Sequence, residues 1–194
     1  MTSSDSSRRR FLSGAVAAGG ALLAAAPEAR AGARTPTRTP EGTGTWPPGL
    51  EAAVRRAMPA AVDRARTARY PYGAVLVDVA GGSVVTGARN DSGHDPTAHA
   101  EIALLRAAAA AGFHLPDHAV VTTAEPCAMC AGALLWSGVR AVAYGTSVEK
   151  LISYGVPQID ISFAEIAGRS LLSRTPPALA GGVRCDLTDP LYRT

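Results

Sequence analysis

The sequence is short of aromatic side chains, of charge and of lysine. Aromatic residues make up 5% and charged residues 18% of its 194 positions, and Lys150 is the one lysine among 19 basic residues. So low a charged fraction beside 47% hydrophobic residues excludes a largely disordered chain and a highly charged scaffold. Three cysteines are too few for a disulfide-built fold. No apolar run reaches the roughly 18 residues of a membrane span. The arginine bias reads as base composition, and a net charge of +3 points only weakly to a polyanion. What is left is a length suited to one domain with a buried core and a short appendage.

The appendage is N-terminal. Arg8, Arg9 and Arg10 precede an apolar run at 14–26, followed by Pro27 and Ala29-Arg30-Ala31, which is the layout of a secretory signal. Ser7-Arg8-Arg9-Arg10-Phe11-Leu12 resembles the twin-arginine export motif. That implies a periplasmic or secreted protein, without stable membrane insertion once residues 1–31 are removed. Cleavage after Ala31 leaves 163 residues and, by taking away four arginines with Asp5 and Glu28, lowers the net charge from +3 to +1. The bulk charge then offers no argument for nucleic acid as a partner. Residues 32–48, rich in Pro, Gly and Thr, read as a flexible linker, and the domain proper is expected over 49–194.

Leu50, Val54, Met58, Ala61 and Val62 recur at helical spacing and predict an amphipathic helix over 50–67, with Arg55, Arg56, Arg64 and Arg66 on its solvated face. Two β-rich runs, 73–79 and 83–89, separated by Ala80-Gly81-Gly82, predict a hairpin. A helix is expected over 96–111, capped by Asp95, opened by Pro96 and stopped at Gly112, which puts His99 in its first turn. A strand at 118–123, a helix at 126–136, a strand at 140–144 closed by Gly145, and short helices near 147–153 and 162–168 follow. This order is α/β: three layers, with helices on both faces of a central mixed sheet of about five strands. In such sheets ligands gather where strands end and helices begin, so function is sought at the junctions near 95 and 125.

Those junctions carry His99-Ala100-Glu101 and Pro126-Cys127-Ala128-Met129-Cys130. Cys127 and Cys130, three apart, project to one side of a helix start, where the helix dipole favours the thiolate that a metal needs. One imidazole and two thiolates make a three-ligand zinc set with the fourth tetrahedral position free for water, as in a catalytic site. A structural site would need a fourth ligand from Cys185, His94, His114 or His118, none of which lies at a short metal spacing. Glu101, two residues beyond His99, is placed to shuttle protons for that water. The cysteine pair also fits a redox dithiol. Against that stand the matching His99 and Glu101 and the lack of a Trp before Cys127.

The two motifs together are the signature of zinc nucleobase deaminases. From 70 to about 145 the chain resembles the cytidine deaminase-like superfamily, above all its guanine deaminase and tRNA adenosine deaminase branches. The resemblance rests on Tyr70-Pro71-Tyr72-Gly73-Ala74-Val75, on Asn90, on the stretch from His94 through His99 to Ile102, and on the stretch from Glu125 through Cys130 to Ala133. It implies a three-layer α-β-α cytidine deaminase-like fold and one Zn2+ per chain, held by His99, Cys127 and Cys130. It further implies Glu101 as proton shuttle and Asn90 as a hydrogen-bonding anchor for the base, although Asn90 also reads as a plain turn residue before Asp91-Ser92-Gly93. The reaction implied is hydrolytic: water replaces an amine on a ring carbon and ammonia leaves. The resemblance also admits a homodimer.

The substrate expected is a free nucleobase or nucleoside of guanine or cytosine type. Trp136 stands where guanine deaminases carry Trp and the tRNA-editing branch carries His, so it reads either as a stack or wall for a purine or as a plain core aromatic. Export and the lowered charge count against tRNA. The Gly-Phe-Asp-Asp stretch of guanine deaminases is replaced by Tyr154-Gly155-Val156-Pro157-Gln158-Ile159-Asp160, which leaves the base open. The competing readings are a tRNA adenosine deaminase and a non-catalytic binding protein on the same fold; the intact ligands and Glu101 count against the second. Cys185 reads as a bystander, and Tyr192 as a residue that closes the pocket, by analogy with related C-terminal segments.

Overall fold

The structure, a computed structural model, describes residues 46–172 and 175–193. The expected signal at 1–31 and the linker as far as residue 45 lie outside the described residues. At the linker's end, Trp46 already packs against the core.

Helix α1 (Leu50–Arg66) forms where apolar residues recur every three to four positions, and that stripe, including Val54, Met58, Ala61 and Ala65, is buried. Then come β1 (Gly73–Asp78), β2 (Val84–Arg89), α2 (Ala100–Ala110), β3 (His118–Ala124), α3 (Ala128–Ser137) and β4 (Ala141–Thr146). The chain ends with α4 (Val148–Ser153), α5 (Phe163–Gly168), β5 (Ala178–Ala180) and α6 (Cys185–Thr188). Short 3-10 turns stand at Leu115–Asp117 and Asp189–Leu191.

The sheet runs β2-β1-β3-β4-β5. β1 is antiparallel to both β2 and β3, whereas β3, β4 and β5 are parallel. Alternation along the strands divides the core. Val75, Val77, Val121 and Ala143 pack under α1 on one face, while Leu76, Val120, Val142 and Tyr144 meet Leu104 of α2, Leu134 of α3 and Phe163 of α5 on the other. The result is the mixed five-stranded sheet between helical layers that the element order implied. The start of β1 and the ends of β3 and β4 meet at one edge, with Ala74 opposite Thr122 and Ala124 opposite Thr146.

Three expected boundaries change. α2 opens at Ala100 rather than 96, because the Asp95 carboxylate turns back to accept from the Thr97 amide at 2.8 Å and the Thr97 hydroxyl at 2.7 Å, capping a turn instead of the helix. α3 opens at Ala128 rather than 126, with Cys127 still extended at φ −60° and ψ 169°. β4 runs on through Gly145 to Thr146. Gly145 is there for close approach and not for termination: a Cβ would lie 2.3 Å from Thr188 Oγ1 and 2.8 Å from the Thr123 carbonyl. The same pressure explains Gly73, where a Cβ would lie 2.2 Å from the Ala61 carbonyl oxygen of α1. Gly112, by contrast, ends α2 as expected, at φ +76°.

Candidate active site

His99 and Cys127 occupy the same position on two successive helices, each the last extended residue before the first turn, and neither side chain caps its helix. Their donor atoms are therefore left for another task. Cys127 Sγ lies 3.4 Å and Cys130 Sγ 3.6 Å from His99 Nδ1. A tetrahedral zinc with nitrogen at about 2.0–2.1 Å and sulfur at about 2.3 Å separates such ligands by about 3.6 Å, so the three side chains fit that ion. All three donor atoms lie within 4.8 Å of one another, and no other such group occurs among the described residues. The cysteines are unbridged. Hydrogen bonds from Cys130 and His99 outweigh burial and hold the Cys127 thiol down at about 4, which favours the ligating thiolate. Cys130 moves the other way, because it is bonded to Cys127 and buried.

The residues considered for a fourth ligand lie elsewhere. Cys185 donates to the Gly145 carbonyl, His94 pairs with Asp91, His114 with Asp117, and His118 bonds the His114 carbonyl.

Glu101, in the first turn of α2, is 6% exposed. Its Oε1 accepts the Thr122 hydroxyl of β3 at 2.7 Å. Burial pushes the carboxyl above its ordinary range, and the Thr122 bond opposes that rise. Asn90, 5% exposed just past β2, accepts the Ser92 amide at 3.0 Å and the Ser92 hydroxyl at 2.7 Å on Oδ1. With the oxygen so occupied, the Asn90 side chain has its amide nitrogen left to offer, as a donor. The turn reading of Asn90 is met by these bonds to Ser92.

His99, Cys127, Glu101 and Asn90 line one cavity of about 480 Å³, together with Tyr72, Glu125 and Gln158, and no lysine or arginine lines it. Glu125 accepts the Val148 amide on one oxygen at 2.9 Å and the Phe163 amide on the other at 2.8 Å, tying the starts of α4 and α5 to the end of β3. Trp136 is not brought to the cavity. It is 69% exposed at the end of α3 and is not among the residues that line the cavity. Sequence reasoning passed over Thr122, Tyr72, Glu125 and Gln158. Thr122 had a signal, a hydroxyl inside a strand buried at every position; Gln158, on an irregular connection, had none.

The cytidine and deoxycytidylate deaminase zinc-binding region matches residues 49–146. A probable cytosine deaminase of Schizosaccharomyces pombe is 33% identical over 84 residues, 43% of this chain and 52% of that protein. The guanine deaminase of Bacillus subtilis is 38% identical over 78 residues, 38% of this chain and 49% of that one. The chain thus spans about half the length of both relatives. Among solved structures, a chain from studies of tRNA:A34 deaminases, which edit A to I at the wobble position of transfer RNA, superposes with a TM-score of 0.57 at 29% identity, covering 70% of this chain and 98% of that one.

Proposed function

Because the chain belongs to the cytidine and deoxycytidylate deaminase zinc-binding family, we propose that it removes an exocyclic amine from a free nucleobase or nucleoside, of guanine or cytosine type, by zinc-dependent hydrolysis. The observation that carries this reading is the meeting of His99, Cys127 and Cys130 at zinc-ligand spacing, with buried Glu101 lining the same cavity as His99 and Cys127. His99, Cys127 and Cys130 hold one ion per chain. When bound, zinc would bring the pKa of a coordinated water toward neutrality.

Glu101 takes a proton from the attacking water and passes it to the ring nitrogen beside the amine-bearing carbon. The second proton of that water, released as the oxo group forms and carried by the same carboxylate, goes to the departing amine, and nitrogen leaves as ammonia. Thr122 fixes the carboxylate for both transfers. Asn90, a donor by the occupation of its oxygen, holds an acceptor atom of the base. A cavity without lysine or arginine suits an uncharged base better than a phosphate-bearing one.

The test is ammonia release by zinc-loaded protein from guanine, cytosine, adenine, their nucleosides and tRNA, with Glu101→Ala as control. Activity on tRNA alone would move the assignment to the adenosine-editing branch, a reading favoured by the near-complete coverage of the tRNA:A34 deaminase chain. Zinc-loaded protein inert on the whole panel would leave the binding-protein reading. The proposal extends to export by the twin-arginine route with removal of residues 1–31, for which N-terminal sequencing of protein recovered outside the cytoplasm is the check.

A further inference from the structure

Tyr72, immediately before β1, lines the cavity together with Glu101 and Cys127. Its ring rests on that of Tyr192, with centroids 5.1 Å apart and planes inclined by 32°. Tyr192 comes from the far end of the chain and is 3% exposed. Its hydroxyl donates to Thr123 Oγ1 at 2.8 Å, and the same oxygen accepts the backbone amide of Gly73, the residue after Tyr72, at 3.1 Å. One threonine hydroxyl therefore secures both the backbone beside Tyr72 and the ring behind it.

The two phenols differ in what they leave free. Tyr192 is spent on Thr123. The Tyr72 hydroxyl makes no hydrogen bond among the described residues, and it is not one of the sealed, unpaired polar atoms, so it keeps some exposure on a residue that lines the cavity. Burial, then the charges of Glu101 and Cys127, keep this phenol protonated and hence a donor. Among the polar side chains that line the cavity, Glu125 is committed to two backbone amides, Ser92 to Asn90, and one oxygen of Glu101 to Thr122.

We propose that Tyr72 is a substrate-contacting residue, its ring forming a wall against which the base rests and its hydroxyl donating to an acceptor atom of that base, with Tyr192 as the positioning residue behind it. This rests on the deaminase reading of the cavity and adds a second donor to that of Asn90. A base held between two donors must carry two acceptors, a carbonyl oxygen or an unprotonated ring nitrogen at each.

The experiment uses full-length, zinc-loaded protein with guanine and cytosine as probes. Tyr72→Phe keeps the ring and loses the hydroxyl; it is expected to raise KM at least tenfold with unchanged zinc content and Tm. Tyr192→Phe, which loses the Thr123 anchor, is expected to raise KM less, and the double variant to be no worse than Tyr72→Phe alone, since the anchor acts only through Tyr72. Tyr72→Phe within twofold of the parent overturns the proposal, and additive effects overturn the role of Tyr192. A second arm measures binding of guanine and cytosine to Glu101→Gln and Glu101→Gln/Tyr72→Phe proteins, so that absent turnover does not hide the answer. Weaker binding by the double variant supports the contact even if the deaminase reading fails; equal binding, or none by either, overturns it.

Discussion

The hydroxyl of Thr122 donates to the carboxylate of Glu101 at 2.7 Å, across the gap between strand β3 and the first turn of α2. A buried acid without such a partner would stay protonated or swing to find one. Here the carboxylate, in the first turn of α2, is held by a hydroxyl on β3, a strand paired on both sides.

Glu101→Gln is expected to lower kcat by about 10²–10⁴-fold, the range for loss of a general acid–base group, with zinc content unchanged. Thr122→Val, close in shape but without the hydroxyl, is expected to lower kcat by about tenfold or more, in line with about 1.5–3 kcal/mol for a hydrogen bond to a charged group. Steady-state kinetics beside metal analysis separates the two; equal kinetics for Thr122→Val and parent would refute the orienting role.

Chelation is expected to abolish ammonia release and lower Tm, with zinc restoring both. At a free metal concentration about a hundredfold above Kd, binding to the folded chain alone stabilises it by about 2.7 kcal/mol. Cys127→Ser is expected to fall below one zinc per chain, read by atomic absorption.

Gly145→Ala is expected to destabilise the fold by about 1–3 kcal/mol, because the added methyl meets the Thr188 side chain and the Thr123 carbonyl at less than contact distance. Denaturant unfolding gives the number. Gly132→Ala, in α3 with nothing near its Cβ, is the control and is expected to be neutral or stabilising.

Lys150 donates to the buried carboxylate of Asp189, which also accepts the Thr146 hydroxyl at 2.8 Å and so fastens the C-terminal turn to β4. The pairing raises the ammonium above its ordinary 10.5. A base whose folded value is raised contributes its stability fully below 10.5 and loses it as pH climbs through the folded value. Tm is therefore expected to fall more steeply above that pH in the parent than in Lys150→Met. With the lysine side chain 40% exposed, the difference at neutral pH is at most about 1 kcal/mol.

The legible part of this protein is what repeats or caps. The helical spacing of Leu50, Val54 and Met58 foretold α1 almost to the residue, and the β-rich runs foretold the hairpin. The metal set was readable because Pro126, Cys127 and Cys130 lie on one short stretch and His99 and Glu101 on another, so that few contacts across the fold were needed to join them. What escaped depends on long-range packing. Tyr72, Thr123 and Tyr192 meet from three distant parts of the chain, and no local pattern marks that meeting. Trp136 was read by its position in a motif, and the structure leaves it exposed at the end of α3, outside the cavity lining. β5 and α6 are three and four residues long, too short for a periodicity.

Glu125 spends both oxygens on the first amides of α4 and α5, so the excursion between them leaves and returns at a single carboxylate. Mechanically it is a loop hung from one nail. Residues 154–160, within it, can be lengthened, shortened or rewritten while both suspension points stay at the end of β3 beside the metal ligands. Val156, Pro157 and Gln158 of that loop line the cavity, so a library confined to those seven positions would alter the cavity wall while the Glu125 bonds and the metal ligands stay in place.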